Sequence, residues 1–484
     1  MIISRMRFIL ILIAVFSFTV QAQVIDGDWM CAYATIDDQP NATGNRTIST
    51  ASYGENNFVA LVADFADNDY YLVGYKDADS VNGRLGTYQY SGTDQITLWL
   101  NGFDQFFFNE AMDVAYMNYD SKDLIFVANN DLDHNILVFE MTADSFQTYP
   151  MRMSTGNLPI YAIDVDEMNH VYVTVEGDSL TPGKVLVFDS PENESKWSNG
   201  YNANPLQVID LPEAGSARGV TASADGSIIY ASNYMTGKVY CYIGNPTDGY
   251  SLFEGFNFQI DESVTEAEVT YKGGPWGLSM LHSKNILFVC ASLDFINSPY
   301  SYGKIYLVNP NDGAIIDTID AAQWNFDKTG AYNDNGPGTV SGYASPYNCD
   351  FDDQDNLYAV SYYGWTIDKW YYTSTLPTID ITITAVEIDR VGNSIVSSFE
   401  VKQNYPNPFN PTTTIEFSLN ERAPVTLSIY SINGELITEL LKGSEFESGN
   451  YKVTFDASRL SSGTYIYSIN NGNKIISNKM TLLK

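Results

Sequence analysis

Three histidines, four cysteines and 59 acidic residues are the side chains of this 484-residue chain from which a metal or nucleophilic site could be built. The histidines do not combine. His170 and His282 fall in turn-like stretches, His134 follows an Asn/Asp-rich loop, and no two share the spacing of a zinc site. No Gly-x-Ser-x-Gly elbow, phosphate-binding loop or dinucleotide fingerprint occurs in a strand-turn-helix context. The acidic clusters Asp64-Phe-Ala-Asp-Asn-Asp69, Asn129-Asn-Asp-Leu-Asp133 and Asp352-Asp-Gln-Asp-Asn356 could each offer oxygens to calcium. None has the spacing of a full calcium loop, and Asp and Asn also satisfy the backbone of a tight turn, which is the stronger reading for the first and third. Calcium stays open as a cofactor. Cys31, Cys241, Cys290 and Cys349 show no Cys-x-x-Cys spacing, and three lie in strand patterns where a small buried side chain suffices. Their disulfide state is left open.

The elements that would position these groups are hairpins. Asp350-Phe-Asp-Asp-Gln-Asp-Asn-Leu-Tyr-Ala-Val-Ser361 reads as an apolar strand, an Asp/Asn turn and an aromatic second strand. Related hairpins occur at Asp164–Thr174, Ser223–Ser232, Leu281–Cys290 and Tyr119–Ala128, with a weaker copy at Asp67–Val73. The second-strand aromatics Tyr71, Phe126, Tyr172, Tyr230, Phe288 and Tyr358 set a period of about 57 residues, which in an all-strand chain points to propeller blades. A third strand repeats at Gly183–Asp189, Gly237–Tyr242 and Gly303–Val308, each with an outward Lys, and loosely at Asn135–Phe139 and Gly83–Tyr88. The expected fold is an all-β propeller of six blades, with seven as the alternative. Its ring is closed by an outer strand from Trp29 to Ala66, because a propeller has no other way to remove its open edge. Asp261–Val269 is the one weak helix candidate, and residues 320–345 read as a long insertion.

Both ends differ from this pattern. Arg5 and Arg7 precede an apolar run from Phe8 to Val20, and Val20-Gln-Ala22 offers small residues for cleavage, so residues 1–22 read as a signal peptide. No other stretch is apolar enough to cross a membrane, which leaves no transmembrane segment in the mature chain. The propeller is assigned to 23–384 and a linker to 385–402. Gln403-Asn-Tyr-Pro-Asn-Pro-Phe-Asn-Pro411 then opens a tail, 403–484, whose short alternating strands and Asn433-Gly434 and Asn471-Gly472 turns suit a small immunoglobulin-like sandwich. Charge separates the two parts. From Glu400 onward there are eight acidic and eight basic residues, whereas 23–399 holds 51 acidic and 15 basic residues, a net −36. That surface repels nucleic acid and anionic lipid.

The hairpins resemble those of NHL-repeat and gluconolactonase-like propellers, in which an Asp-x-x-Gly/Asn turn precedes an aromatic strand. The tail resembles the C-terminal sorting domain of type IX secretion substrates through Asn404, Tyr405, Pro406, Asn407, Pro408, Phe409, Asn410 and Pro411, then Gly449–Asp456, Leu460–Tyr467 and Lys479–Lys484. This second resemblance implies inner-membrane export by the signal peptide and recognition by the outer-membrane type IX machinery of a Gram-negative bacterium. It also implies release into the medium or attachment to the outer cell surface.

A propeller presents ligands at one mouth of its channel, where inner strands begin and second strands end. Those positions hold Glu110, Arg218, Trp276 and Asn348, and Asn129, Glu176, Asn233, Asp294 and Tyr362. Arg218, Trp276, Asn129, Asn233 and Asp294 are the candidate ligand-binding residues. Two functions fit: a binding module for glycan, peptide or protein, and a calcium-dependent hydrolase of the lactonase type, whose metal-ligand pattern cannot be matched here residue by residue. The absent catalytic motifs and the 35 tyrosines and seven tryptophans favour binding over an enzyme.

Overall fold

The computed structural model describes residues 28–35, 45–64, 69–75, 87–88, 96–100, 110–131, 134–142, 146–153, 158–190, 205–247, 249–266, 268–293, 301–332, 344–364, 366–383, 387–390, 398–446, 448–457 and 460–484. Six antiparallel sheets follow one another along the chain, each running outward from an inner strand. The inner strands are Asn45–Tyr53, Asp113–Tyr119, Ile160–Val165, Ala217–Ala222, Val269–Leu281 and Pro346–Phe351. Each packs beside the next, and Pro346–Phe351 packs beside Asn45–Tyr53, so the ring is closed with six blades.

Closure uses the N-terminal strand Trp29–Thr35, which pairs antiparallel with Thr366–Tyr372 as the outer strand of blade 6. That strand is shorter than expected. Residues 45–64 instead form the inner hairpin of blade 1, because Asn45–Tyr53 and Asn57–Asp64 pair with each other. The blade 1 hairpin was therefore misphased in the sequence reading: Tyr71 lies on the third strand Asp69–Tyr75, and Phe58 is the second-strand aromatic. Thr87–Tyr88, expected in a third strand, runs parallel to the closing strand.

One apolar cluster fills each of the six interfaces between neighbouring blades. Second strands are sandwiched on both faces, which is why Val171–Val175 and Ile286–Leu293 are buried throughout rather than alternating. The turn aspartates serve this packing. Asp166 accepts from the Met168 and His170 backbone N–H and from the Tyr172 hydroxyl (2.7 Å), while Asp352 accepts from Gln354, Asn356 and Tyr358 in the same way. The repeated lysines point outward to acids on the adjoining strand or loop: Lys184 to Asp210, Lys238 to Glu213 (2.5 Å) and Lys304 to Glu262 (2.6 Å).

Two local expectations fail. Residues 263–266 pair with the long inner strand Val269–Leu281 as a hairpin, so the weak helix is a strand. The helix lies at Ala321–Thr329, started by the Asp320 carboxylate accepting from the Gln323 N–H and ended by Gly330 at φ 82°. The Gly-, Asn- and Asp-rich residues that follow it gave the whole segment its loop-like reading. The tail is a two-sheet sandwich of four strands each around its own core. Its first sheet also takes in Glu387–Arg390 and Glu400–Val401, paired to Gly449–Asp456 and Thr412–Leu419, from the stretch expected to be linker. The signal-peptide stretch lies outside the described residues.

Trp29, 7% exposed, sits edge-on to Phe288 (5.9 Å) and beside Tyr372 (5.3 Å). Trp29→Ala should therefore lower stability by about 3–5 kcal/mol and loosen the closing strand. Denaturant titration checks this, and a midpoint equal to the parent's would show that the ring closes without that anchor.

Candidate functional site

The propeller axis is a channel with two wells that meet at a waist. The upper well, about 250 Å³, is lined by Tyr161, Arg218, Trp276, Tyr347, Tyr362 and Tyr363 among others. The lower, about 650 Å³, holds Asp164, Asp350 and the hairpin turns. Asp113, Leu278 and Asn348 line both. At the upper end the inner strands crowd so closely that side chains are excluded: a Cβ on Gly219 would lie 2.4 Å from the Trp276 carbonyl, and one on Gly277 2.5 Å from that of Tyr347.

Arg218 is the centre of the upper well. Its guanidinium lies 4.3 Å from the Trp276 ring, 4.5 Å from Tyr161 and 5.2 Å from Tyr234. It donates to the Tyr161 hydroxyl (2.7 Å), Ser216 Oγ (3.0 Å) and Glu176 (3.3 Å). The Tyr347 ring stacks on Trp276 at 3.9 Å and on Tyr362 at 4.5 Å, and Tyr363 stands edge-on to Tyr362. Trp276 is 5% exposed and its indole N–H has no partner, so it backs the stack while Tyr347, Tyr362 and Tyr363 carry the open surface. Burial raises the Tyr347 hydroxyl well above its ordinary pKa, which keeps it neutral.

The waist is a knot of hydrogen bonds. Asp113 accepts from Ser49 Oγ (2.5 Å), Asn348 Nδ2 (2.5 Å) and the Ile163 N–H (2.9 Å), joining blades 1, 2, 3 and 6. Below it, Asp164 accepts from the Ala222 N–H (3.0 Å) and Asp350 from the Ser52 N–H (2.6 Å), each linking its blade to the next. Burial raises Asp113 and Asp350 to about 7, the N–H donors oppose it, and the other channel carboxylates add to it; Asp164 is raised by burial and held down by nearby His282.

The structure brings Arg218 and Trp276 together, with Glu176 and Tyr362 beside them. It does not bring Asn129 or Asn233 there. Both are fully buried, and Asn233 donates to the Glu213 and Ala214 carbonyls. Asp294 lies outside the described residues. Tyr161, Tyr347 and Tyr363 were missed, as were Asp113, Asp164 and Asp350. The aspartates carried a faint signal, since Asp164 and Asp350 both stand opposite the second-strand tyrosine of their hairpin. Among the described residues, no group of three or more His, Cys, Asp and Glu side chains is placed to hold a metal ion.

In the tail, the motif splits into anchors and display. Phe409 is buried in the sandwich core, and Asn404 donates to Thr413 Oγ1 (2.8 Å) and the Pro406 carbonyl. Asn407 and Gln403 run along the C-terminal strand, Asn407 accepting from the Thr481 N–H and both donating to the Lys479 carbonyl. Tyr405 is 80% exposed.

Residues 403–482 match the family model described as the secretion system C-terminal sorting domain. The tail is a type IX sorting domain. It marks the protein for secretion or display at the cell surface, and it implies a type IX secretion machinery as partner. No curated protein matches the chain. Among solved structures, a gluconolactonase from Xanthomonas campestris is similar at 12% identity, covering 72% of this chain and 91% of its own, with a TM-score of 0.41. A β-propeller domain of Cps50 (Swd1) from Myceliophteria thermophila is similar at 9%, covering 68% and 96%, with a TM-score of 0.37. A protein from Lactobacillus plantarum is similar at 14%, covering 72% and 96%, also at 0.37. Likenesses this distant carry no activity over to this chain.

The channel carboxyls give an inverted pH dependence. A carboxyl whose pKa rises on folding holds its proton more tightly in the folded chain, so stability grows as pH falls from about 7 towards about 4 and is lost as pH rises, by at most about 1.4 kcal/mol per pH unit for each group. Asp350→Asn should flatten that slope. Denaturant titrations from pH 5 to pH 8 read it directly, and an unchanged slope in the variant would remove Asp350 as a source.

Proposed function

We propose that the exported propeller is a non-catalytic binding module that takes a glycan at the upper well. The observation that supports this reading most is the aromatic stack Trp276–Tyr347–Tyr362 beside the clamped Arg218. Flat rings pack against the C–H face of a sugar, while the Arg218 guanidinium and the tyrosine hydroxyls offer hydrogen bonds to its hydroxyls. Glu176 offsets the charge of Arg218, which suits a neutral polar ligand better than an anion. A lactonase-type reaction lacks support here, because no metal-ligand set is assembled among the described residues.

The route is part of the same proposal. Residues 1–22 direct the chain into the periplasm, and the sorting domain then carries the propeller out to the medium or the outer surface of a Gram-negative cell. A chain ending at Ile383, which packs on the core between blades 4 and 5, keeps the whole propeller and omits every strand of the sandwich. It should fold and remain periplasmic. Its appearance outside the cell in fractionation would contradict the route.

Tyr362→Ala and Tyr363→Ala should each weaken glycan binding by about 1–3 kcal/mol, with chelator having no effect. Titration of the purified chain against glycan and peptide arrays checks this. Peptide binding with no glycan binding would replace the ligand class, and binding indifferent to both substitutions would move the site off the upper well.

A further inference from the structure

We infer that the lower well binds a primary alkylammonium ion, from a free polyamine or a lysine side chain. Six inner-strand residues stand opposite the second-strand aromatics and line it: Ser52, Ala115, Asp164, Thr221, Ser279 and Asp350. Five of the six are polar, and two are carboxylates. No Lys or Arg is among the residues lining the well, and its one basic group, His282, lies at the rim with Nε2 against the Ala222 carbonyl (3.0 Å). Asp164 and Asp350 each accept from a backbone N–H of the neighbouring blade, and such neutral donors stabilise a carboxylate without cancelling its charge.

A second observation is independent of the acids. Ser52 is 6% exposed, lines the same well, and its Oγ has no hydrogen-bond partner. A buried hydroxyl without a partner is costly, so the site is built for a polar group from outside the chain. A bare metal ion does not suit it, since no three acidic or His groups converge among the described residues. An ammonium group does. It brings three N–H donors on an apolar stem, matching in number the two carboxylates and the hydroxyl that line the well, and the roughly 650 Å³ well leaves room for the stem.

The test is calorimetric titration of the purified full chain with spermidine, with Nα-acetyl-lysine amide and with calcium chloride, at about 0.15 M salt so that the acidic outer surface is screened. Spermidine or the lysine amide should bind with one-to-one stoichiometry. Asp164→Asn and Asp350→Asn should each weaken it at least tenfold, Ser52→Ala a few-fold, and Asp178→Asn, on an exposed loop outside the well, not at all. Thermal melts of the variants confirm that they fold, and Ser52→Ala keeps both carboxylates should either Asn variant fail. Spermidine without the lysine amide identifies a free polyamine, and the reverse a lysine-bearing peptide. Absence of amine binding, binding unaffected by these substitutions, or calcium competing for the same site would overturn the inference.

Discussion

Three carboxylates on the propeller axis each reach from one blade to a backbone N–H of the next, and the channel depends on those links. Asp113 ties blade 2 to blade 3, Asp164 ties blade 3 to blade 4, and Asp350 ties blade 6 to blade 1. Inner strands converge towards the axis, and at its upper end Gly219 and Gly277 lie too close to the neighbouring backbone to carry a side chain. Hydrogen bonds take over there. Their cost is charge in a confined channel, visible as carboxyl pKa values raised by burial.

That arrangement divides the axis into two chemistries. Above the Asp113–Asn348–Ser49 knot the wall is aromatic with a single clamped guanidinium; below it the wall is hydroxyl and carboxylate. The hairpin turns surround the lower end, and their aspartates are already engaged with their own backbone and the second-strand tyrosines. Variable residues gather at the upper end, where the strands begin. A ring of six similar blades thus presents two unlike sites without any change of scaffold.

The sorting domain packs around a core of its own. Its motif uses Asn404 and Phe409 to fix its own backbone and uses the amides of Gln403 and Asn407 to occupy the free edge of the C-terminal strand. An exposed strand edge invites pairing with other chains, so this cover keeps a transported domain from aggregating before it is recognised.

The sequence by itself determined the propeller fold, the hairpins of blades 2 to 6 and the export address, because each rests on local signals: Asp/Asn turns, aromatic spacing and a continuous motif; six blades over seven was only its preference. It also determined that Asp352 is a turn residue. The phase of blade 1 was not legible, since Asp67–Val73 mimics the hairpin pattern while the true hairpin, Asn45–Asp64, lacks its Asp turn. The helix at Ala321–Thr329 was hidden by the loop-like composition of the residues that follow it and is held by tertiary packing of Ala321 and Ala322 against blades 5 and 6. Only the tertiary structure decided which polar residues face the channel. Asn129 and Asn233 turn into the blades, whereas Asp113, Asp164 and Asp350 line one channel from positions more than fifty residues apart. Register bulges at the ends of the inner strands rotate side chains by a residue, and closing the ring brings them together. Neither event leaves a trace in local spacing.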